Sequence, residues 1–248
     1  MAVVRSLMLW TAVVFLTVAN WTVLFPVCLL AMPFDRKKNV PHWFARTWAR
    51  SLMWANPACV VDVQGEENLA KIGGEGAAVI CANHESMADI IALFYLGHPF
   101  KWIAKQSLFF VPMVGWAMWF AGYIPLRRGK KDSILACMEK AADWLRRGVS
   151  IAMFPEGTRS FDGRVKPFKD GAFRLAVETG APILPVALEG PRTLLNKGSW
   201  IFAPRARLVV RVGEPIRVAG KGPEEVERLK NETRAWIDHL VTGAPICH

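Results

Sequence analysis

From residue 57 onward, short apolar runs alternate with longer stretches of helical period. Residues 59–63, 77–82, 123–126, 150–154, 183–188 and 208–212 have the length and apolar content of buried strands. Between them, residues 87–96, 133–147, 172–179 and 224–241 read as helices. The last is the most regular: Pro223-Glu224-Glu225 opens it, and Val226, Leu229, Thr233, Trp236 or Ile237, and Leu240 keep a helical period. Strands alternating with helices predict an α/β domain built on a largely parallel mixed sheet flanked by helices.

The first 56 residues follow a different pattern. Residues 7–34 carry no charge, with Asn20 and Pro26 inside the run. A bilayer span needs about 20 apolar residues, so the length permits crossing. A helix kinked or broken near Pro26 would instead enter one leaflet and return. Asp35-Arg36-Lys37-Lys38 follows at once and by the positive-inside rule stays cytoplasmic, which predicts attachment at the cytoplasmic face of the inner membrane. A cleaved signal peptide fits poorly, because the run is long and lacks a small-residue cleavage site. Residues 41–54 read as a second helix, with Phe44, Trp48 and Leu52 at i, i+4, i+8 and Arg46 and Arg50 in a separate basic row. This helix is expected to lie on the membrane, giving a two-helix anchor over 1–56 and an α/β domain over 57–248.

Composition adds charge to this picture. The chain of 248 residues has 31 Lys plus Arg against 21 Asp plus Glu, a net charge of +10, so an anionic partner is expected. The excess is local: Lys101, Lys105, Arg127, Arg128, Lys130 and Lys131 have no acid among them over 101–131. Eight of the 11 tryptophans precede residue 120, in the same basic segments, and Trp beside Lys or Arg suits a membrane interface. Residues 101–128, with Trp102, Phe109, Phe110, Trp116, Trp119 and Phe120, form a second expected membrane contact. Nucleic-acid binding would not need the aliphatic run. The five cysteines (28, 59, 81, 137, 247) are odd in number and widely spaced, which disfavours a disulfide framework or a zinc site.

Four blocks carry candidate chemistry. Asn83-His84-Glu85-Ser86-Met87-Ala88-Asp89 directly follows an apolar strand, where α/β folds place their ligands. On one helix His84 and Asp89 would diverge; with His84 on the loop and Asp89 inside the next helix they can meet, and the carboxylate then fixes the imidazole tautomer, the alternative being a surface histidine near a helix whose positive end Asp89 serves. Phe154-Pro155-Glu156-Gly157-Thr158-Arg159-Ser160 follows another strand and offers a guanidinium fork matched to phosphate. Gly122-Tyr123-Ile124-Pro125-Leu126-Arg127-Arg128 again ends a strand in arginine, and Ala181-Pro182-Ile183-Leu184-Pro185-Val186-Ala187-Leu188 is wholly apolar. Ser86 reads as a helix N-cap and Cys81 as core.

Together and in this order, the four blocks resemble those of the glycerolipid acyltransferase family, which contains 1-acyl-sn-glycerol-3-phosphate acyltransferase, in its bacterial form. The resemblance runs from Asn83 to Leu188, under half of the chain. It implies transfer of an acyl group from acyl-ACP or acyl-CoA to the sn-2 hydroxyl of lysophosphatidic acid, with membrane lipids as partners and neither cofactor nor metal. It also implies His84 as base with Asp89 as its partner, and Lys105, Arg128, Glu156, Gly157, Thr158 and Arg159 around the acceptor. Glu85 and Arg127 depart from common forms of the motifs, which leaves the acceptor open: another lyso-lipid or glycerol 3-phosphate would use the same His–Asp chemistry. A scaffold that keeps the fold without catalysis is the non-enzymatic alternative.

Overall fold

The computed structural model describes residues 2–73, 76–160, 163–195 and 199–242; Cys247 lies outside them. Seven strands form one sheet: β1 (Cys59–Gln64), β2 (Val79–Ala82), β3 (Phe100–Lys105), β4 (Ile124–Leu126), β5 (Ser150–Met153), β6 (Ile183–Glu189) and β7 (Ala206–Val212). Their order is β1-β7-β6-β2-β5-β3-β4, and every pairing is parallel except β6 with β7. The helices are α1 (Ala2–Ala31), α2 (Asn39–Trp54), α3 (Glu67–Ala70), α4 (Ala88–Leu93), α5 (Val114–Phe120), α6 (Lys131–Arg146), α7 (Gly171–Thr179), α8 (Pro191–Leu194) and α9 (Pro223–Thr242).

The expected α/β class holds, and alternation along the strands explains its three layers. In β2, Val79 and Cys81 face α6, α7 and α9, while Ile80 and Ala82 face α2, α4 and α8. Both faces of the central strands are covered, which is why they read as unbroken apolar runs. One strand, β3, escaped the sequence pattern because Lys101 sits inside it, fully buried.

The N-terminal helices depart from expectation. α1 runs without interruption through Pro26, which removes one backbone donor but does not end the helix. Among the described residues it is the one helix long and apolar enough to cross a membrane, and most of its surface is uncovered. Yet it is fastened to the domain at both ends. Arg5 Nη2 donates to Phe202 O at 2.6 Å and Trp10 Nε1 to Trp200 O at 2.8 Å. At the other end, Trp21 packs on Trp116 and Phe25 on Phe120.

α2 carries its apolar row inward. Phe44 is buried with Leu24 and Cys28 of α1, and Trp48 Nε1 donates to Thr17 Oγ1 at 3.0 Å. Ala49 and Met53 join the core above the sheet, so the division expected after residue 56 separates residues that share one core. The aromatics that α2 leaves exposed are Trp43 and Trp54. In the second expected membrane segment, Trp102 and Phe109 are buried, leaving Phe110, Trp116 and Trp119 exposed.

Candidate active site

The parallel strands bring their carboxyl ends to one edge, and His84 emerges there two residues beyond β2. It lies on the loop, and Asp89 lies in the first turn of α4, the arrangement in which a five-residue spacing closes. His84 Nδ1 and Asp89 Oδ2 are 2.6 Å apart. The same Oδ2 accepts the Glu85 and Ser86 backbone N–H groups at 2.7 and 2.9 Å, and Asp89 is fully buried. A carboxylate held this way cannot rotate freely, so it fixes the imidazole and leaves Nε2 for proton transfer. One face of the imidazole is covered: Phe154 stacks on it, centroids 4.0 Å apart and planes 11° from parallel.

The loop after β5 grips the same residue through its backbone. Glu156 Oε1 accepts the His84 N–H at 2.7 Å, and Ser160 N donates to His84 O at 2.7 Å. Glu156 Oε2 accepts the Lys166 N–H at 3.1 Å. Glu156, expected among the acceptor contacts, is buried, and both of its oxygens accept from backbone donors. Burial holds its carboxyl above the ordinary range, against the opposing pull of those donors. Gly157 also has a local reason, since its φ of 70° is a left-handed turn position and an added Cβ would lie 2.9 Å from Lys169 Nζ.

Thr158 is exposed and Arg159 half-buried on this loop, and Lys166 Nζ donates to Arg159 O at 2.9 Å. Lys105 ends β3, in register with Leu126 of β4, so Lys105 and Arg128 reach the same sheet edge as His84. In the strand order, β3 stands two strands from β2 and β4 three, about 10 and 14 Å at ordinary spacing. Both side chains are exposed. The hydrogen bonds thus join His84, Asp89 and the loop of Glu156 to Ser160 directly, whereas Lys105 and Arg128 form an outer basic rim.

Asn83, read from sequence only as the first residue of its block, makes a contact that the sequence did not disclose. Its amide donates to Leu188 O at 2.9 Å and accepts from Leu188 N at 2.8 Å, tying the His84 loop to β6. An asparagine beside a strand end has no readable partner 105 residues away. Ser86 is buried; its Oγ donates to Leu195 O at 2.9 Å and takes the Ala88 N–H at 3.3 Å, while Met87, not Ser86 as expected, occupies the N-cap position of α4. Cys81 is fully buried in β2, and burial raises its thiol.

Glu85 is the buried acid next to His84. Burial pushes it up to about 7; Asp89 and Glu156 add to the shift and Arg192 opposes it. A carboxyl raised in the folded state stabilises below its unfolded value of 4.5 and loses that stabilisation as pH rises through about 7. Glu85→Gln is therefore expected to melt like the wild type near pH 4.5 and about 3–6 °C higher at pH 8, where about 1–2 kcal/mol of strain is relieved. Thermal melts at both pH values check this; equal melting at pH 8 would place Glu85 in a solvated setting.

Comparisons with known proteins bear on the family. A family model described as Acyltransferase matches residues 60–189. The chloroplastic 1-acyl-sn-glycerol-3-phosphate acyltransferase of Brassica napus is 39% identical over 184 residues, 74% of this chain and 52% of the relative. The 1-acyl-sn-glycerol-3-phosphate acyltransferase of Pseudomonas aeruginosa is 29% identical over 204 residues, 81% of this chain and 77% of the relative. The crystal structure of the 1-acyl-sn-glycerophosphate acyltransferase of Thermotoga maritima superposes with a TM-score of 0.78 at 25% identity, covering 98% of both chains. The chain spans about half the length of the chloroplastic relatives it matches. With the family model covering more than half of its residues, the chain belongs to the acyltransferase family.

Proposed function

We propose that the protein is a 1-acyl-sn-glycerol-3-phosphate O-acyltransferase that uses acyl-ACP or acyl-CoA to make phosphatidic acid in phospholipid biosynthesis. The observation that carries this reading is the 2.6 Å contact of His84 Nδ1 with buried Asp89, at a strand end flanked by an arginine-bearing loop. The names of the relatives from Brassica napus and Pseudomonas aeruginosa support the acceptor.

A thioester is already activated, so no covalent serine or cysteine step is needed. In this mechanism His84 Nε2 takes the proton from the sn-2 hydroxyl as the oxygen attacks the thioester carbonyl. Asp89 stabilises the imidazolium that forms. The tetrahedral intermediate then expels the thiolate, which takes that proton from His84. Arg159, with Lys105 and Arg128 on the rim, binds the acceptor phosphate so that the hydroxyl faces His84, which makes positioning part of the rate.

An acceptor panel tests the assignment: purified protein, a labelled thioester donor, and 1-acyl-sn-glycerol 3-phosphate, glycerol 3-phosphate and a lyso-amino-lipid side by side. The expected preference is for the first. Arg159→Ala is expected to lower kcat/KM for it about 10–100-fold, the size of one charge-assisted hydrogen bond, with little change for an acceptor lacking phosphate. Equal use of the lyso-amino-lipid would overturn the assignment.

The membrane reading is part of the proposal. Both the lysophospholipid acceptor and the product reside in the bilayer. The uncovered side of α1, with exposed Phe110, Trp116 and Trp119, supports attachment at headgroup depth, and the Arg36-Lys37-Lys38 run after α1 supports the cytoplasmic face. The ties of α1 to the domain at Arg5 and again at Phe25 support a helix that lies in one leaflet rather than crossing.

A further inference from the structure

A second basic site lies away from the histidine, where the chain turns from α1 into α2. An open cleft of about 270 Å³ there is lined by Lys38, Lys140, Arg147, Trp119, Trp144 and Asp143, among others. Lys101, fully buried in β3, lies beneath it and donates from Nζ to Lys38 O at 2.9 Å. Two cations approach the Trp144 ring, Lys101 Nζ at 5.2 Å and Arg147 Cζ at 5.4 Å from its centroid.

The four cations have no carboxylate partner within ion-pair distance among the described residues, and the nearby acids are engaged elsewhere. Asp35 accepts the Asn39 and Val40 N–H groups, both at 2.8 Å, and Asp143 pairs with Arg146 at 3.0 Å. Burial lowers Lys101 to about 7; the field of Asp35 opposes the shift and that of Lys38 adds to it. The backbone is shaped to hold this cluster together. Lys38 occupies a left-handed conformation with φ 51°, and at Gly122 an added Cβ would lie 2.8 Å from Trp144 Cζ2 and 2.9 Å from Lys38 Cδ. Cations gathered at this density repel one another unless an anion joins them.

We propose that this cleft binds a phosphate-bearing anion, with Lys38, Lys140 and Arg147 as its contacts and the indole of Trp144 as its wall. It is separate from the acceptor site. Lys101 is in register with Ile151 and hence with Val79, five residues before His84 and two strands over, about 15–20 Å away. Trp119, half exposed at the rim, and Phe34, 86% exposed in the turn between α1 and α2, place the cleft beside the apolar surface of α1. The headgroup of an anionic phospholipid fits that position. A free phosphate would satisfy the same cations.

The test is binding, not turnover, so its failure would leave the proposed acyl transfer untouched. The 248-residue protein in neutral-detergent micelles is titrated calorimetrically with dioctanoyl phosphatidylglycerol, dioctanoyl phosphatidylcholine and inorganic phosphate. The Lys140→Gln/Arg147→Gln protein is run in parallel; both side chains are exposed, and a thermal melt confirms its folding. Saturable binding of phosphatidylglycerol over phosphatidylcholine, weakened at least tenfold in the double variant and retained in Arg159→Gln, supports a lipid headgroup site. Inorganic phosphate binding at equal strength, with the same sensitivity, supports the site with a free anion as ligand. Binding that the double variant leaves unchanged, or that Arg159→Gln alone abolishes, overturns the proposal.

Discussion

His84→Ala is expected to lower kcat for 1-acyl-sn-glycerol 3-phosphate by about 10²–10⁴-fold, the range for losing a general base, while Ser86→Ala keeps most activity. The order follows from what each side chain is free to do. His84 has one nitrogen on Asp89 and one ring face on Phe154, so Nε2 remains for the acceptor. Ser86 Oγ is committed to Leu195 O and the Ala88 N–H, and is buried. Asp89 keeps its two backbone donors when the ring is removed, so the His84→Ala fold should persist, and a thermal melt run beside a labelled acyl-transfer assay verifies that. A Ser86→Ala protein that is dead while His84→Ala turns over would replace direct transfer with a covalent route.

The contact of His84 with Asp89 was legible because its signal is local: a strand end, a short loop and the first turn of a helix. What supports it was not. Glu156 reads as a polar group beside an arginine, and only the fold reveals that its oxygens hold the N–H groups of His84 and Lys166. The same limit hid β3. A lysine inside a strand argues against burial until Lys38, 63 residues away, supplies a carbonyl and Trp144 a ring. Trp102 and Phe109 misled for a related reason, since aromatics among cations have the same composition in a core as at a membrane interface. By contrast, the helix at the C-terminal end, read as 224–241, forms over Pro223–Thr242, because its apolar face, acidic first turn and Pro start all act within the helix itself.

Two truncations separate anchoring from folding, and their outcomes are expected to differ sharply. Removing residues 1–56 strips Ala49 and Met53 from the core and uncovers Phe94 and Phe100, against which His42 packs at 5.5 and 4.7 Å. It also removes the Lys38 carbonyl from buried Lys101, leaving a charge without its hydrogen bond. That protein should aggregate. A chain starting at Asp35 keeps the carboxylate that caps α2, the Lys38 carbonyl and the whole α2 core face, and loses α1 with its contacts to Phe44, Trp48, Trp116, Phe120, Trp200 and Phe202. It should fold, melt cooperatively, and lose at least about tenfold in vesicle flotation, since the removed segment carries 15 of the 27 large hydrophobic side chains exposed among the described residues. Activity on vesicle-embedded acceptor should fall with flotation, while activity on acceptor presented in detergent micelles survives. A soluble, fully active protein lacking residues 1–56 would show that α2 is dispensable to the core, and flotation undiminished without α1 would move the membrane contact to the exposed aromatics of α5.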